Sequence, residues 1–75
     1  MKVFIDVYVL FTKDGQIVPK KIIWEDGRGF YIDKVIDVRR AASTKTGGTG
    51  IRYRCLILGK VKDLFLDDNL WFVEK

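Results

Sequence analysis

Residues 22–32 read IIWEDGRGFYI, in which an Asp26-Gly27 step separates two runs of β-branched and aromatic side chains. An Asp-Gly step favours the tight turn that joins two antiparallel strands, because both residues accept the backbone angles that the turn needs. The sequence therefore predicts a β-hairpin at this place.

The residues before this hairpin predict two strands. Apolar side chains occupy every second position from Val3 to Phe11, a period that puts them on one face of an extended strand. A turn is expected at residues 13–16 and a second strand at residues 17–24. Because Pro19 has no N–H to donate, its end of that strand is expected on a sheet edge or at a bulge.

The residues after the hairpin predict four more strands and one long loop. The third strand is expected to run to about Val38, and a flexible loop is expected at residues 40–50, where small and polar residues dominate. Three strands follow, at residues 51–58, 61–66 and 70–73. The predicted fold is a single all-β domain over residues 1–75, a six-stranded antiparallel meander curled into a small SH3-like barrel. Curling is expected because a sheet this small must share one face as an interior.

Composition limits the class of protein. The chain has 75 residues, of which 48% are hydrophobic and 32% charged, as in a folded globular domain. It has one cysteine and no histidine, and no apolar run approaches the roughly 18–20 residues that cross a bilayer. Asp6 interrupts the apolar stretch that a secretory signal would need. We therefore expect a reduced, cytoplasmic protein without a membrane partner.

Two stretches carry a family resemblance. Residues 24–35, WEDGRGFYIDKV, together with LWFV at residues 70–73, resemble a pattern found in small bacterial single-domain proteins of unknown function. The resemblance implies an all-β fold related in shape to SH3-like barrels. It implies no activity and assigns no functional residue.

Patterns that would carry catalysis or metal binding are not found. Histidine is absent, and the hydroxyl groups of residues 43–49 have no recognisable base nearby. Cys55 alternates with apolar neighbours, which is typical of a small buried side chain. Residues 67–69 lack the spacing of a calcium loop, and residues 47–50 lack the lysine of a phosphate loop. We expect no enzymatic activity, no metal, no cofactor and no small-molecule substrate.

Charge is distributed unevenly along the chain. Residues 1–38 hold six cations and six acids, residues 39–62 hold seven cations and no acid, and residues 63–75 hold four acids and one lysine. The seven cations are Arg39, Arg40, Lys45, Arg52, Arg54, Lys60 and Lys62. With Tyr53 between two arginines, this basic segment has the charges and the aromatic ring that bind single-stranded nucleic acid.

Strand register offers a competing interpretation of the same segment. If Ile32, Ile36 and Val38 face the interior, Val35 and the acids Asp33 and Asp37 face outward. If Ile51, Tyr53 and Ile57 face inward on the next strand, Arg52 and Arg54 also face outward. The two acids would then pair with the two arginines, and Tyr53 would be a core residue.

The preferred functional hypothesis is a small non-enzymatic interaction module that binds a protein partner or itself. Its candidate surface comprises Val18, near an open strand edge, with Leu56 and Leu58, which lie on the face opposite Ile57. The alternative is a module that binds single-stranded nucleic acid through the basic segment.

Overall fold

A computed structural model describes residues 1–43 and 48–75, with the side chains of residues 1–40 and 50–75. The described backbone forms strands and turns, and no helix in it is long and apolar enough to span a membrane. The strands are β1 (Lys2–Phe4), β2 (Asp6–Phe11), β3 (Ile17–Ile23), β4 (Gly29–Tyr31), β5 (Lys34–Ser43), β6 (Gly48–Ile57), β7 (Lys60–Asp67) and β8 (Leu70–Glu74).

The strands form two antiparallel sheets. The larger has the order β1-β8-β7-β6-β5, and the smaller has the order β2-β3-β4. The all-β prediction is confirmed, but the predicted count of six strands is wrong. Within residues 1–43 and 48–75 the pairing also gives two separate sheets rather than one closed barrel.

The first predicted strand is two strands because its hydrogen-bonding partner changes at Ile5. Residues before Ile5 pair with β8, and residues after it pair with β3. Ile5 itself donates its N–H to the Trp71 carbonyl at 3.1 Å. Val3 and Ile5 are both buried and Val7 packs against them, so the alternation of side chains continues through the change of partner.

The third predicted strand divides in the same way. β4 pairs with β3, whereas β5 pairs with β6. The two residues between them bond in opposite directions: Ile32 N–H to the Lys20 carbonyl, and Asp33 N–H to the Leu56 carbonyl. The chain therefore passes from one sheet to the other at two places, and the core lies between the sheets.

The predicted loop at residues 40–50 is mostly strand. β5 continues to Ser43 and β6 begins at Gly48, with Ala41 opposite Gly50 in the ladder. Backbone pairing needs no large side chain, so the small residues at these strand ends gave no strand pattern in the sequence. Residues 44–47, including Lys45, lie outside the described residues.

A change of phase before β5 and a β-bulge within it overturn part of the predicted register. Ile32 and Val35 both pack against the core, so the inward positions shift by one residue at residues 33–34. Val35 lies opposite Cys55 and Asp37 lies opposite Arg54, so Ile36 is the extra residue. Val35, predicted to face outward, packs against the core, whereas Ile36 and Val38 are 47% and 51% exposed.

The predicted turns and the predicted bulge near Pro19 are confirmed. Gly15 and Gly27 have φ values of 85° and 87°, as their turns require. The β2–β3 register shifts between Tyr8 and Val9, next to Pro19. β4 pairs only with the later part of β3, so the Pro19 end is open on that side.

The core of the described chain includes Tyr53 and Cys55, as predicted. Their neighbours in the buried cluster include Ile57 and Leu64. Cys55 is a free, buried thiol, and burial, with a smaller contribution from Asp63, raises its pKa from 9.0 to about 11.

The raised pKa of Cys55 predicts how stability depends on pH. Because the thiol loses its proton at lower pH when unfolded, its stabilising effect is complete below about pH 9 and is lost as the pH rises towards 11. Urea unfolding at several alkaline pH values should therefore show a smaller loss of stability for Cys55→Ala than for the native chain. Equal slopes for the two proteins would contradict this prediction.

Candidate functional site

Three of the predicted cations are held by acids. Asp37 Oδ2 accepts hydrogen bonds from Arg52 Nη2 at 3.0 Å and forms an ion pair with Arg39 Nε at 2.9 Å. Arg54 donates through Nε and Nη2 to the two carboxylate oxygens of Asp63, at 2.9 and 3.1 Å. The hydrogen bonds from Arg54 lower the pKa of Asp63, as expected of a two-point contact.

The predicted pairing of acids with arginines is therefore correct for Asp37 and Arg52 and wrong for Arg54. The bulge at Ile36 shifts the register, and Arg54 pairs with the next strand instead. Asp33 accepts a hydrogen bond from the backbone N–H of Leu58 at 3.1 Å.

Tyr53 has no free face for a nucleic-acid base. Its side chain is buried, and its hydroxyl donates to the Ile17 carbonyl at 3.0 Å. Its ring packs against Trp71, with 5.1 Å between the ring centroids. Burial raises the pKa of the Tyr53 hydroxyl. The aromatic ring that the nucleic-acid hypothesis required is a core residue.

The remaining predicted site residues are divided between separate places on the surface. Arg40, Lys60 and Lys62 are exposed, and Leu58 is exposed at the β6–β7 turn. Leu56 and Val18 are half-buried, and Val18 lines an opening between β3 and β5. Leu58, Lys60 and Lys62 are brought together, because all three border one cleft.

This binding cleft lies between the tips of two hairpins, β3–β4 and β6–β7. Its volume is about 330 Å³. The side chains that line it are Ile22, Trp24, Arg28, Phe30, Ile57, Leu58, Lys60, Val61 and Lys62. Apolar and aromatic groups form most of the lining, and the charged side chains that border the cleft are all cations. Such a surface fits a ligand with both an apolar group and a negative charge.

The β3–β4 turn fixes one wall of the binding cleft. Arg28 N–H donates to Asp26 Oδ1 at 3.0 Å, and Gly27 N–H donates to the Trp24 carbonyl at 2.9 Å. The backbone bond from Arg28 is the largest cause that lowers the pKa of Asp26. These bonds hold Trp24 and Phe30 on opposite arms of one short hairpin.

The β6–β7 turn forms the opposite wall of the cleft. Leu58 and Gly59 have φ values of 52° and 75°, the positive angles that a two-residue type I′ turn requires at both positions. Leucine rarely adopts this conformation, and here its side chain is 71% exposed. A strained backbone therefore presents an apolar side chain to solvent at the edge of the cleft.

Cations lie over the aromatic rings of the cleft. The Trp24 ring centroid is 5.0 Å from Lys62 Nζ and 5.5 Å from Lys75 Nζ. The Arg28 guanidinium carbon lies 5.6 Å from the Phe30 centroid. Cation–π contacts of this kind position positive charge beside the aromatic rings that line the cleft.

Two of these cations have acidic neighbours. Arg28 Nε lies 2.7 Å from Asp26, and Lys75 Nζ lies 3.5 Å from Glu25. Lys60 and Lys62 form no ion pair with any side chain of the described ranges. The positive charges without an acidic partner therefore lie on the β6–β7 side of the cleft.

Sequence reasoning missed the contribution of Trp24, Arg28 and Phe30 to this site. They were identified as parts of a hairpin, and their closeness to Lys60 and Lys62 depends on how the two hairpins pack.

Comparison with family models, with curated proteins and with solved structures yields no match.

The conformation of Leu58 predicts that Leu58→Asn stabilises the fold. Asparagine before glycine suits a type I′ turn, so the free energy of unfolding should rise by about 1 kcal/mol. Chemical denaturation measures the change. Val61→Asn is a matched control, because Val61 is similarly exposed but lies in regular β7. A lower free energy of unfolding in Leu58→Asn would contradict the inference that the backbone of Leu58 is strained.

Proposed function

We propose that this chain is a non-enzymatic binding module, and that its cleft takes an extended protein segment in which apolar side chains alternate with carboxylates. The observation that carries this proposal is the joint presence of exposed apolar groups and unneutralised lysines around one aromatic cleft. Leu58 and Val61 are 71% and 61% exposed, and Lys60 and Lys62 stand beside them.

The backbone of β4 supports an extended ligand. The Arg28 carbonyl and the Ile32 N–H bond to β3, so the backbone groups of Gly29 and Tyr31 point away from it. β4 is the edge of its sheet, and the Phe30 side chain lines the cleft. An added strand along β4 would gain backbone hydrogen bonds and place alternate side chains towards the aromatic floor.

Single-stranded nucleic acid is the second candidate ligand. Lys62 beside Trp24 offers a cation and an aromatic ring close together, which is the combination that such ligands use. We favour a carboxylate-bearing segment because Lys62 and Lys75 already lie over the Trp24 ring, on which a base would have to stack.

Three broader expectations accompany this proposal. The two sheets, joined by continuous chain at Ile5 and at residues 32–33, support a strongly opened SH3-like barrel. We also propose membership of the small bacterial family that the sequence resembles. The buried free thiol of Cys55 accords with a reducing cytoplasm.

Fluorescence of Trp24 tests the proposed function. In a Trp71→Phe background, Trp24 is the only tryptophan, and a short peptide alternating leucine with glutamate should change its emission saturably. A peptide with glutamine in place of glutamate should bind more weakly. Lys62→Gln should weaken binding of the acidic peptide about two- to fivefold, as for a partly exposed ion pair. Arg40→Gln, which lies opposite Ile51 at the other end of β6 from the cleft, should leave it unchanged.

The same titration separates the two ligands. Tighter binding of oligothymidylate than of the acidic peptide, with a steep loss on adding salt, would replace the proposal with the nucleic-acid candidate. No response to either probe, or equal loss in Lys62→Gln and Arg40→Gln, would show that the cleft is not the binding site.

A further inference from the structure

The sheet edges differ in how well they are protected against pairing with another strand. β1 and β4 have three residues each. β5 has a bulge at Ile36 and carries Lys34, Arg39 and Arg40. Short strands, bulges and cations all discourage edge pairing. The remaining edge, β2, has six residues and no charge between Asp6 and Lys13.

β2 also exposes large apolar side chains. Tyr8, Leu10 and Phe11 are 63%, 48% and 70% exposed. The bulge in this hairpin lies in β3, where Lys20 is the extra residue, so β2 itself is regular. An uncharged, regular and apolar edge strand is a template for a further strand.

The backbone of β2 has free groups on its outer side. Thr12 N–H bonds to the Gln16 carbonyl, towards β3, whereas Ile5 N–H bonds to the Trp71 carbonyl, on the other side. Because backbone groups alternate along a strand, those of Val7, Val9 and Phe11 point to the same side as Ile5. They face away from β3.

We infer that two copies of this chain associate through β2, in an antiparallel pair whose two-fold axis passes through Val9. A two-fold axis normal to the sheet pairs residues of the same face, so the axis must coincide with a residue. An axis at Leu10 would set Asp6 against Asp14 of the second copy. An axis at Val9 instead sets Asp6 opposite Thr12 of the second copy, next to Lys13, at both ends of the pair.

The axis at Val9 therefore avoids the contact between two acids and keeps Lys13 close to Asp6. Asp6 and Lys13 are exposed, and neither forms an ion pair within the part of the chain that the structure describes. Tyr8 and Leu10 of one copy lie opposite Leu10 and Tyr8 of the other, as an aromatic–aliphatic pair on the outer face.

The same register places a protruding ring over a cavity. Phe11 of one copy lies opposite Val7 of the other, on the face that turns towards the core. A cavity of about 440 Å³ adjoins Val7 and is lined mostly by apolar groups. Its lining comprises Phe4, Ile5, Asp6, Val7, Asn69, Leu70 and Trp71. The exposed Phe11 ring and this cavity are complementary across the two-fold axis.

The inference does not depend on the proposed ligand cleft, because that cleft lies beside β4, at the opposite edge of the same sheet. Pairing uses the β2 edge of both copies, so it closes as a dimer and leaves no β2 edge for growth.

Sedimentation equilibrium at increasing concentration tests the dimer. The native chain should show a monomer–dimer equilibrium, and Phe11→Lys should weaken it at least about tenfold, since a buried aromatic anchor becomes a charge. Tyr31→Lys is a matched control on the β4 edge, with 71% exposure, and should leave the equilibrium unchanged. A monomer at every concentration, or equal weakening by both variants, would overturn the inference.

Cross-linking tests the register without relying on those variants. In a Cys55→Ala background, Val9→Cys should form a disulfide-linked dimer, because directly opposed residues are about 5.5 Å apart, within disulfide range. Phe11→Cys should cross-link far more slowly, since its opposite residue is Val7. Equal cross-linking of the two variants would reject the Val9 axis.

Discussion

The structure depends on two continuous stretches of chain that change their hydrogen-bonding partner. At Ile5 the chain leaves β8 for β3, and at residues 32–33 it leaves β3 for β6. These passages hold the two sheets over one core, so a chain of 75 residues buries side chains from both ends. Openings lie beside Val7, between β3 and β5, and between the hairpin tips.

The charge pattern of the sequence changes meaning once the strands are paired. A segment with seven cations and no acid looked like a nucleic-acid surface, yet Asp37 and Asp63, which flank it in sequence, lie on the strands next to Arg52 and Arg54. Antiparallel pairing thus neutralises the middle of the segment through residues outside it. Lys60 and Lys62 form no ion pair in the described ranges, and both border the cleft.

Sequence periodicity predicted what depends on side-chain direction and missed what depends on backbone partners. The burial of Tyr53 and Cys55, the hairpin at Asp26-Gly27 and the bulge near Pro19 follow from alternation and turn chemistry. The division at Ile5 leaves that alternation unchanged, so no pattern of side chains could reveal it. At residues 33–34 the inward positions shift by one residue, because Ile32 and Val35 both pack against the core. The bulge at Ile36 follows the apolar Val35 directly, and the pattern does not show which of the two is the extra residue. The binding cleft depends on the packing of two distant hairpins, for which local sequence holds no information.

The two proposed surfaces belong to one sheet, and their positions have a consequence for binding. In a dimer paired through β2, the six strands would run β4-β3-β2-β2-β3-β4, so both β4 edges would lie at the outer ends. At a strand spacing of about 4.8 Å, the two β4 strands would be about 24 Å apart. Both clefts would remain open at edges that face in opposite directions, so a partner with two such segments joined by a linker would occupy both. Weak, partly exposed ion pairs at Lys60 and Lys62 could then support firm attachment, because a second contact on the same partner is intramolecular.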